Sequence, residues 1–257
     1  MKVAAFQAPL CTSNMTETLN VIRDQVKRSE AERVSILCCP ETILGGLADN
    51  NEDPFQFALS AESDQLKAVF EPLASDTVAT IIGFTEIATG DRLYNSAAVF
   101  YRGQIVGLYR KLYPAINRSI YDAGQDLPTF QVENLIFGII ICNDSNHFEL
   151  GRRLADRGAT AIFIPTNNAI APAKAKAEKV AIHARANDRT IAVESRVWVV
   201  RADVAGFNEG FTSFGSSEIV DPNGVVVQSA KPLTTDLIVA EIDAASRLHS
   251  GLSKAQK

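Results

Sequence analysis

Short runs built almost only of apolar residues alternate with longer stretches in which apolar residues recur at helical spacing, and this rhythm most limits the fold. Val34–Cys39, apolar but for Ser35, and Leu135–Ile141, apolar throughout, read as strands buried on both faces. Ahead of the first, Met15, Leu19, Ile22 and Val26 share one helical face. They predict a helix to about Ala31, opened by Asn14 and Glu17 as a capping box. Val3–Gln7 reads as an opening strand. Asp64–Leu73, Phe148–Arg157 and Lys174–Val193 read as further helices. Thr80–Phe84, Ala161–Ile164, Arg196–Ala202, Ser217–Val220, Val225–Gln228 and Leu237–Ile242 read as further strands. Ser96–Tyr101 and Gln104–Tyr109, joined by Arg102-Gly103, read as a hairpin, and Asn223-Gly224 marks another tight turn. Residues 112–128 read as irregular.

The strand–helix–strand pattern of residues 3–39 is echoed at 135–164. With no linker or low-complexity stretch, this predicts an α/β fold as one domain in two similar halves, with two sheets and helices outside. That domain is expected over residues 1–244, with 245–257 as a C-terminal tail, disordered or held by a partner subunit.

Of 257 residues, 46% are hydrophobic and 21% charged, ample apolar surface to order most of the chain. A net charge of −5 argues against nucleic acid as the main partner, because a phosphate backbone recruits clustered Lys and Arg. The longest apolar runs fall far short of the ~20 residues that span a bilayer. The N-terminus lacks the core and cleavage site of a signal peptide. A cytoplasmic protein is expected, with Cys11, Cys38, Cys39 and Cys142 as thiols. These cysteines and His147, His183 and His249 have no metal-site spacing.

Three strands end in side chains fit for chemistry. Val34–Cys39 leads to Pro40-Glu41, Gln104–Tyr109 to Arg110-Lys111, and Leu135–Ile141 to Cys142. Sites in α/β sheets collect beyond the carboxyl ends of strands, so Glu41, Lys111 and Cys142 are candidates to converge. A carboxylate can take the proton of a thiol, and an ammonium can stabilise the negative charge that develops. Each also has an ordinary reading alone. A free Cys is most often core, a Glu after Pro a loop residue, and a Lys after a strand solvated.

The segments carrying these residues resemble the signature blocks of the carbon–nitrogen hydrolase (nitrilase) superfamily. They are CCPETILGG with Glu41, YNSAAVFYRGQIVGLYRKLYP with Lys111, and GIIICNDSNHFELGRRLADRGATAIFIPTNN with Cys142. KVAAFQAP, GFTE, ESRVWVV and GSSEIVDPNG agree in family order. The resemblance implies a four-layer α-β-β-α sandwich and a catalytic Glu41-Lys111-Cys142 triad. It implies no metal or organic cofactor, a small-molecule substrate, and a homodimer or higher homo-oligomer. Glu41 would be the general base, Lys111 the charge stabiliser and Cys142 the nucleophile. The backbone N–H of Asn143 would complete the oxyanion site if the chain turns sharply after the strand, and Thr166 and Asn167 would line the substrate site.

Two departures stand out. Many members carry a second Glu in the loop after the Lys. Here SIYDAG places the gap near Asn117 or Arg118, and Asp122 is the nearest carboxylate. Cys-Asn-Asp at 142–144 is similar to N-carbamoyl-D-amino-acid hydrolases, a hint toward ureido substrates. Asp144 and Glu149 read as structural, and His147 as pocket-lining or solvated. Arg118 and Arg201 read as substrate-carboxylate anchors or surface ion pairs. The loops 45–56 and 166–173 flank the candidate site. A small linear amide or carbamoyl compound is the expected substrate. The competing readings are a nitrilase, a regulatory member that lost turnover, and a thiol-redox protein using Cys142 or the Cys38-Cys39 pair.

Overall fold

The computed structural model describes residues 1–10, 14–114, 119–208 and 210–243. In chain order the elements are β1 (Lys2–Pro9), α1 (Met15–Ala31), β2 (Ile36–Cys38), α2 (Asp64–Phe70), β3 (Ala79–Ala88), β4 (Arg92–Tyr101) and β5 (Gln104–Arg110). Then follow β6 (Thr129–Val132), β7 (Leu135–Ile139), α3 (Glu149–Asp156), β8 (Ala161–Pro165), α4 (Lys174–Ser195) and β9 (Trp198–Ala202). The chain ends with β10 (Val204–Phe207), β11 (Thr212–Ser213), β12 (Glu218–Val220), β13 (Val226–Ser229) and β14 (Asp236–Glu241).

The strands form two sheets. One has the order β11-β10-β1-β2-β3-β4-β5, with β14 also paired to β1; the other is β13-β12-β9-β8-β7-β6. The expected echo is visible in their centres. β1 and β2 are parallel neighbours joined through α1, and β7 and β8 are parallel neighbours joined through α3.

Strand alternation explains why the sheets stack. Along β1, Val3 and Ala5 belong to the core that also holds Phe137, Ile139 and Phe163 of the other sheet. Ala4 and Phe6 point the opposite way, onto Ile22 and Val26 of α1 and Phe70 of α2. Phe70 plugs that outer layer, meeting Phe84 and Phe100 edge-on at 6.0 and 5.7 Å. Burying each such ring stabilises the layer by about 1.5–3 kcal/mol. On the far side, a Cβ at Gly138 in β7 would strike Leu154 of α3, so α3 packs close on the outer face of the second sheet. The layers run α-β-β-α.

Cys38, the last residue of β2, and Cys39 just beyond it go to different cores, with Cys38 facing the second sheet and Cys39 facing α1 and α2. Opposite faces preclude a disulfide between them, and burial pushes both thiols up. That removes the basis for the Cys38-Cys39 redox reading.

Some boundaries differ from the sequence reading. β2 covers only Ile36–Cys38 of the apolar run. β4 begins at Arg92 rather than Ser96, pairing with β3 from Arg92 to Phe100. α2 stops at Phe70 and tightens into a 3₁₀ turn over Glu71–Leu73, where Pro72 cannot continue the helix. The sequence reading missed β6, β10 and β11, which are short and carry little periodicity. Asn14 caps α1 as expected, its side chain accepting from the Glu17 N–H at 3.1 Å. Cys11, Asn117, Arg118, His249 and the tail 245–257 lie outside the described residues. Among the described residues, no helix is long and apolar enough to cross a membrane.

Candidate active site

Glu41, Lys111 and Cys142 line one cavity of about 400 Å³. Each comes from a chain segment just past a strand. Glu41 follows β2, where Pro40 ends the apolar run. Its loop lies directly against β3, and Gly83 makes that approach tolerable. A Cβ at Gly83 would sit 2.5 Å from the Pro40 carbonyl oxygen and 2.9 Å from the Glu41 Cα.

Glu41 is buried and both its carboxylate oxygens are engaged. Its Oε1 accepts from Lys111 Nζ at 2.6 Å and Asn95 Nδ2 at 2.7 Å. Its Oε2 accepts the Asn167 backbone N–H at 2.9 Å. Asn95 of β4 serves both partners, because its carbonyl also accepts the Lys111 N–H at 2.8 Å. Burial pulls the Lys111 ammonium down, but the charge and hydrogen bond of Glu41, joined by the charge of Asp144 and by that of Cys142 once it ionises, outweigh it, so its pKa stands above the usual lysine range. The amine therefore stays protonated.

Cys142 follows β7 at the start of a 3₁₀ turn over Cys142–Asn146, with φ of +45°. A non-glycine residue in this left-handed region is strained and persists where its surroundings over-determine it. Asp144 provides that constraint. It accepts from the Ile141 N–H at 2.9 Å, the Tyr113 N–H at 2.8 Å and the Tyr109 hydroxyl at 2.7 Å. Burial lifts the Asp144 carboxyl to about 6, against the pull of Lys111 and these donors. As the second residue of the turn, Asn143 has no carbonyl within it for its backbone N–H. Its side chain is tied back, donating to the Tyr113 carbonyl at 3.1 Å and accepting from Asn146 at 2.8 Å.

The Cys142 thiol is pushed up to about 12, first by burial and then by the negative charge of Glu41, with Lys111 and Arg201 acting the other way. The resting sulfur is a thiol. It donates toward Asn168 Oδ1 at 3.8 Å.

Several expectations are corrected. Thr166 is fully buried and does not face the cavity. Its carbonyl accepts the Glu41 N–H at 3.3 Å and its hydroxyl accepts from Arg201 at 2.6 Å, so it braces the site from behind. Arg201 borders the cavity but is no surface pair, and its guanidinium is committed to partners within the protein. Buried, it holds Asp188 through Nε at 2.7 Å and through Nη2, and it also donates to Ser145. His147 lies away from the cavity, stacked on Tyr113 with ring centroids 3.5 Å apart. Asp122 cannot stand in for the missing carboxylate, since it pairs at the surface with Arg92 at 2.6 Å. Glu149 opens α3 and lies 3.7 Å from His147, a structural place as read. Asn167 lines the cavity and contributes its N–H to Glu41.

The sequence reading missed Asn95, Asn168 and Asp203. Each had a signal. Asn95 stands among the buried residues of β4, Asn168 follows the apolar β8, and Asp203 puts a second charge just past Arg201 at the end of β9. The outer wall of the cavity carries Asn146, His183 and Asn187 from the Cys142 turn and α4. His183 Nε2 and Asn187 Nδ2 both meet Asn146 Oδ1, at 2.9 and 2.8 Å.

The family model described as "Carbon-nitrogen hydrolase" matches residues 2–247. A protein named "Nitrilase" from Pyrococcus abyssi is 29% identical over 222 residues, spanning 85% of this chain and 80% of its own. An "(R)-stereoselective amidase" from a Pseudomonas species is 30% identical over 220 residues, spanning 84% of this chain and 74% of its own. Among solved structures, a carbon-nitrogen hydrolase from Helicobacter pylori G27 superimposes with a TM-score of 0.83 at 20% identity, covering 93% of this chain and 88% of that one. A family match running almost from end to end, on a fold that the solved structure shares, makes this chain a member of the carbon–nitrogen hydrolase (nitrilase) superfamily.

Proposed function

We propose that this member is a cysteine-dependent amidase or carbamoylase that cleaves a small amide through a thioester, with Glu41, Lys111 and Cys142 as its catalytic residues. The observation that carries this reading is the buried 2.6 Å pair of Lys111 and Glu41 in the cavity that also holds the Cys142 thiol. A fixed carboxylate next to a fixed ammonium lets one group accept a proton while its neighbour steadies negative charge.

In the first step, the Cys142 sulfur bonds to the amide carbon as its proton passes to Glu41. The carbonyl electrons move onto oxygen, where the Lys111 ammonium and the Asn143 N–H receive the charge. The C–N bond then breaks as Glu41 returns the proton to the departing nitrogen, giving a thioester and ammonia or an amine. Water attacks the thioester carbon and Glu41 takes its proton. The C–S bond breaks, the sulfur regains a proton, and a carboxylic acid leaves. No outside oxidant or reductant is needed. A thiol that ionises only as it attacks fits its raised pKa, because Glu41 is then needed in both halves of the cycle.

The test is ammonia release from a panel of aliphatic primary amides of two to six carbons and of N-carbamoyl amino acids. The expected result is turnover by the wild-type protein, its loss in Cys142→Ala, and a mass increase matching an acyl group after rapid acid quench. A folded wild-type protein that releases no ammonia or amine from any of these compounds would overturn the reading.

A further inference from the structure

Asn168 presents its carboxamide in one orientation. Its Nδ2 lies 3.1 Å from Asp203 Oδ2 and 3.1 Å from Ser216 Oγ. Ser216 Oγ donates its only hydrogen to Asp203 Oδ2 at 2.6 Å, so it offers Asn168 lone pairs alone.

Asp203 is fully buried, and burial raises its pKa. Even so, donors surround it. The N–H groups of Asn168 and Val204 meet Oδ1, while Asn168 Nδ2 and the Ser216 N–H and hydroxyl meet Oδ2. Four N–H groups and one hydroxyl converge on it, and only the Ser216 hydroxyl could accept a proton from it, so this set of partners matches a carboxylate. Turning the Asn168 amide over would set its oxygen against that carboxylate and the serine lone pairs. The NH₂ must face Asp203, which sends Oδ1 toward Cys142.

Once the thiol proton has left, this oxygen is a bare acceptor beside the reacting carbon. A desolvated acceptor without a donor is costly. The N–H of an amide leaving group supplies one; the oxygen of an ester and the nitrogen of a nitrile do not. Building on the amidase reading above, we infer that Asn168, held by Asp203 and Ser216, selects substrates whose leaving nitrogen carries a hydrogen. Donors, Lys111 and the Asn143 N–H, take the substrate oxygen. Acceptors, Glu41 and Asn168, take its nitrogen.

The experiment compares kcat/KM for aliphatic primary amides with that for methyl esters of the same acids, in wild type, Asn168→Ala and Asp203→Asn. Both substrates share the acyl group and the nucleophile, so a general structural defect lowers both alike. The expected result is that Asn168→Ala lowers the amide-to-ester ratio about tenfold or more. Asp203→Asn, which lets the amide turn over, should shift the ratio the same way. Thermal unfolding monitors folding in each variant, and Asn168→Ala decides if Asp203→Asn does not fold. A wild type that cleaves amides, with a ratio unchanged in Asn168→Ala, overturns the inference and leaves the amidase reading standing. A wild type inactive on every amide overturns both.

Discussion

Replacing Glu41 by Gln keeps the shape of the side chain, removes one negative charge beside Cys142 and leaves the Lys111 ammonium in place. The Cys142 thiol stands at about 12 partly because of that charge. At an effective dielectric constant of about 20, a like charge within about 6 Å of an ionising group is in general worth about 3 kcal/mol, or about two pKa units. The thiolate fraction near neutral pH should then rise about 100-fold. Nucleophilicity falls with thiol pKa, and a Brønsted coefficient of about 0.45 takes back nearly tenfold. Net, iodoacetamide should alkylate Cys142 about tenfold faster in Glu41→Gln than in the wild type. Amide turnover should fall by about 10²–10⁴, the usual contribution of a general base. Alkylation would be followed by intact mass, with Cys142→Ala as the control, and turnover by ammonia release. Slower alkylation in Glu41→Gln would refute the reasoning, since it would mean that the carboxylate promotes ionisation of the resting thiol.

Two further outcomes are expected. Gly83→Ala forces the Pro40–Thr42 backbone away from β3, because the new methyl would lie 2.5 Å from the Thr42 nitrogen. A shift of about 1 Å at Glu41 should cost about 100-fold in kcat/KM, with a stability loss of about 1–3 kcal/mol; full activity in this variant would contradict the placement. Burial and the nearby Asp188 raise the Glu218 carboxyl to about 7, with Arg185, Arg189 and Arg201 opposing. Its folded pKa lies above its unfolded one, so the proton is held more tightly in the fold. The stability this brings is fully present below about pH 4.5 and is lost as pH rises through about 7. Urea denaturation should therefore show Glu218→Gln gaining on the wild type by up to about 3 kcal/mol between pH 4.5 and pH 8; a constant difference would remove Glu218 as the cause.

The centre of the fold was legible because buried parallel strands leave a plain mark. The runs at Val34–Cys39, but for Ser35, and at Leu135–Ile141 are apolar on both faces, and β2 and β7 lie within them. The edges left little mark, since β10 and β11 are held by backbone pairing, which no side-chain period records. The candidate site divides in the same way. Glu41, Lys111 and Cys142 were candidates because they follow strands, and the resemblance of their segments to the family's blocks singled them out. The groups that orient them did not, because Asn95, Asn168 and Asp203 act through hydrogen bonds between segments remote in sequence. Arg201 was misread for a related reason. An arginine in a strand looks like a surface charge or a ligand anchor until its Asp188 partner, on a neighbouring helix, is seen to enclose it.

The cavity draws on both sheets. Glu41, Asn95 and Lys111 come from segments of the first, Cys142 and Asn168 from segments of the second, and Asp203 sits where the chain crosses from β9 to β10. The proposed reacting groups thus register how one sheet seats upon the other. A sideways slip between the layers would leave every strand and helix intact while parting sulfur from acid, so catalytic competence is a finer gauge of correct assembly than any measure of secondary structure.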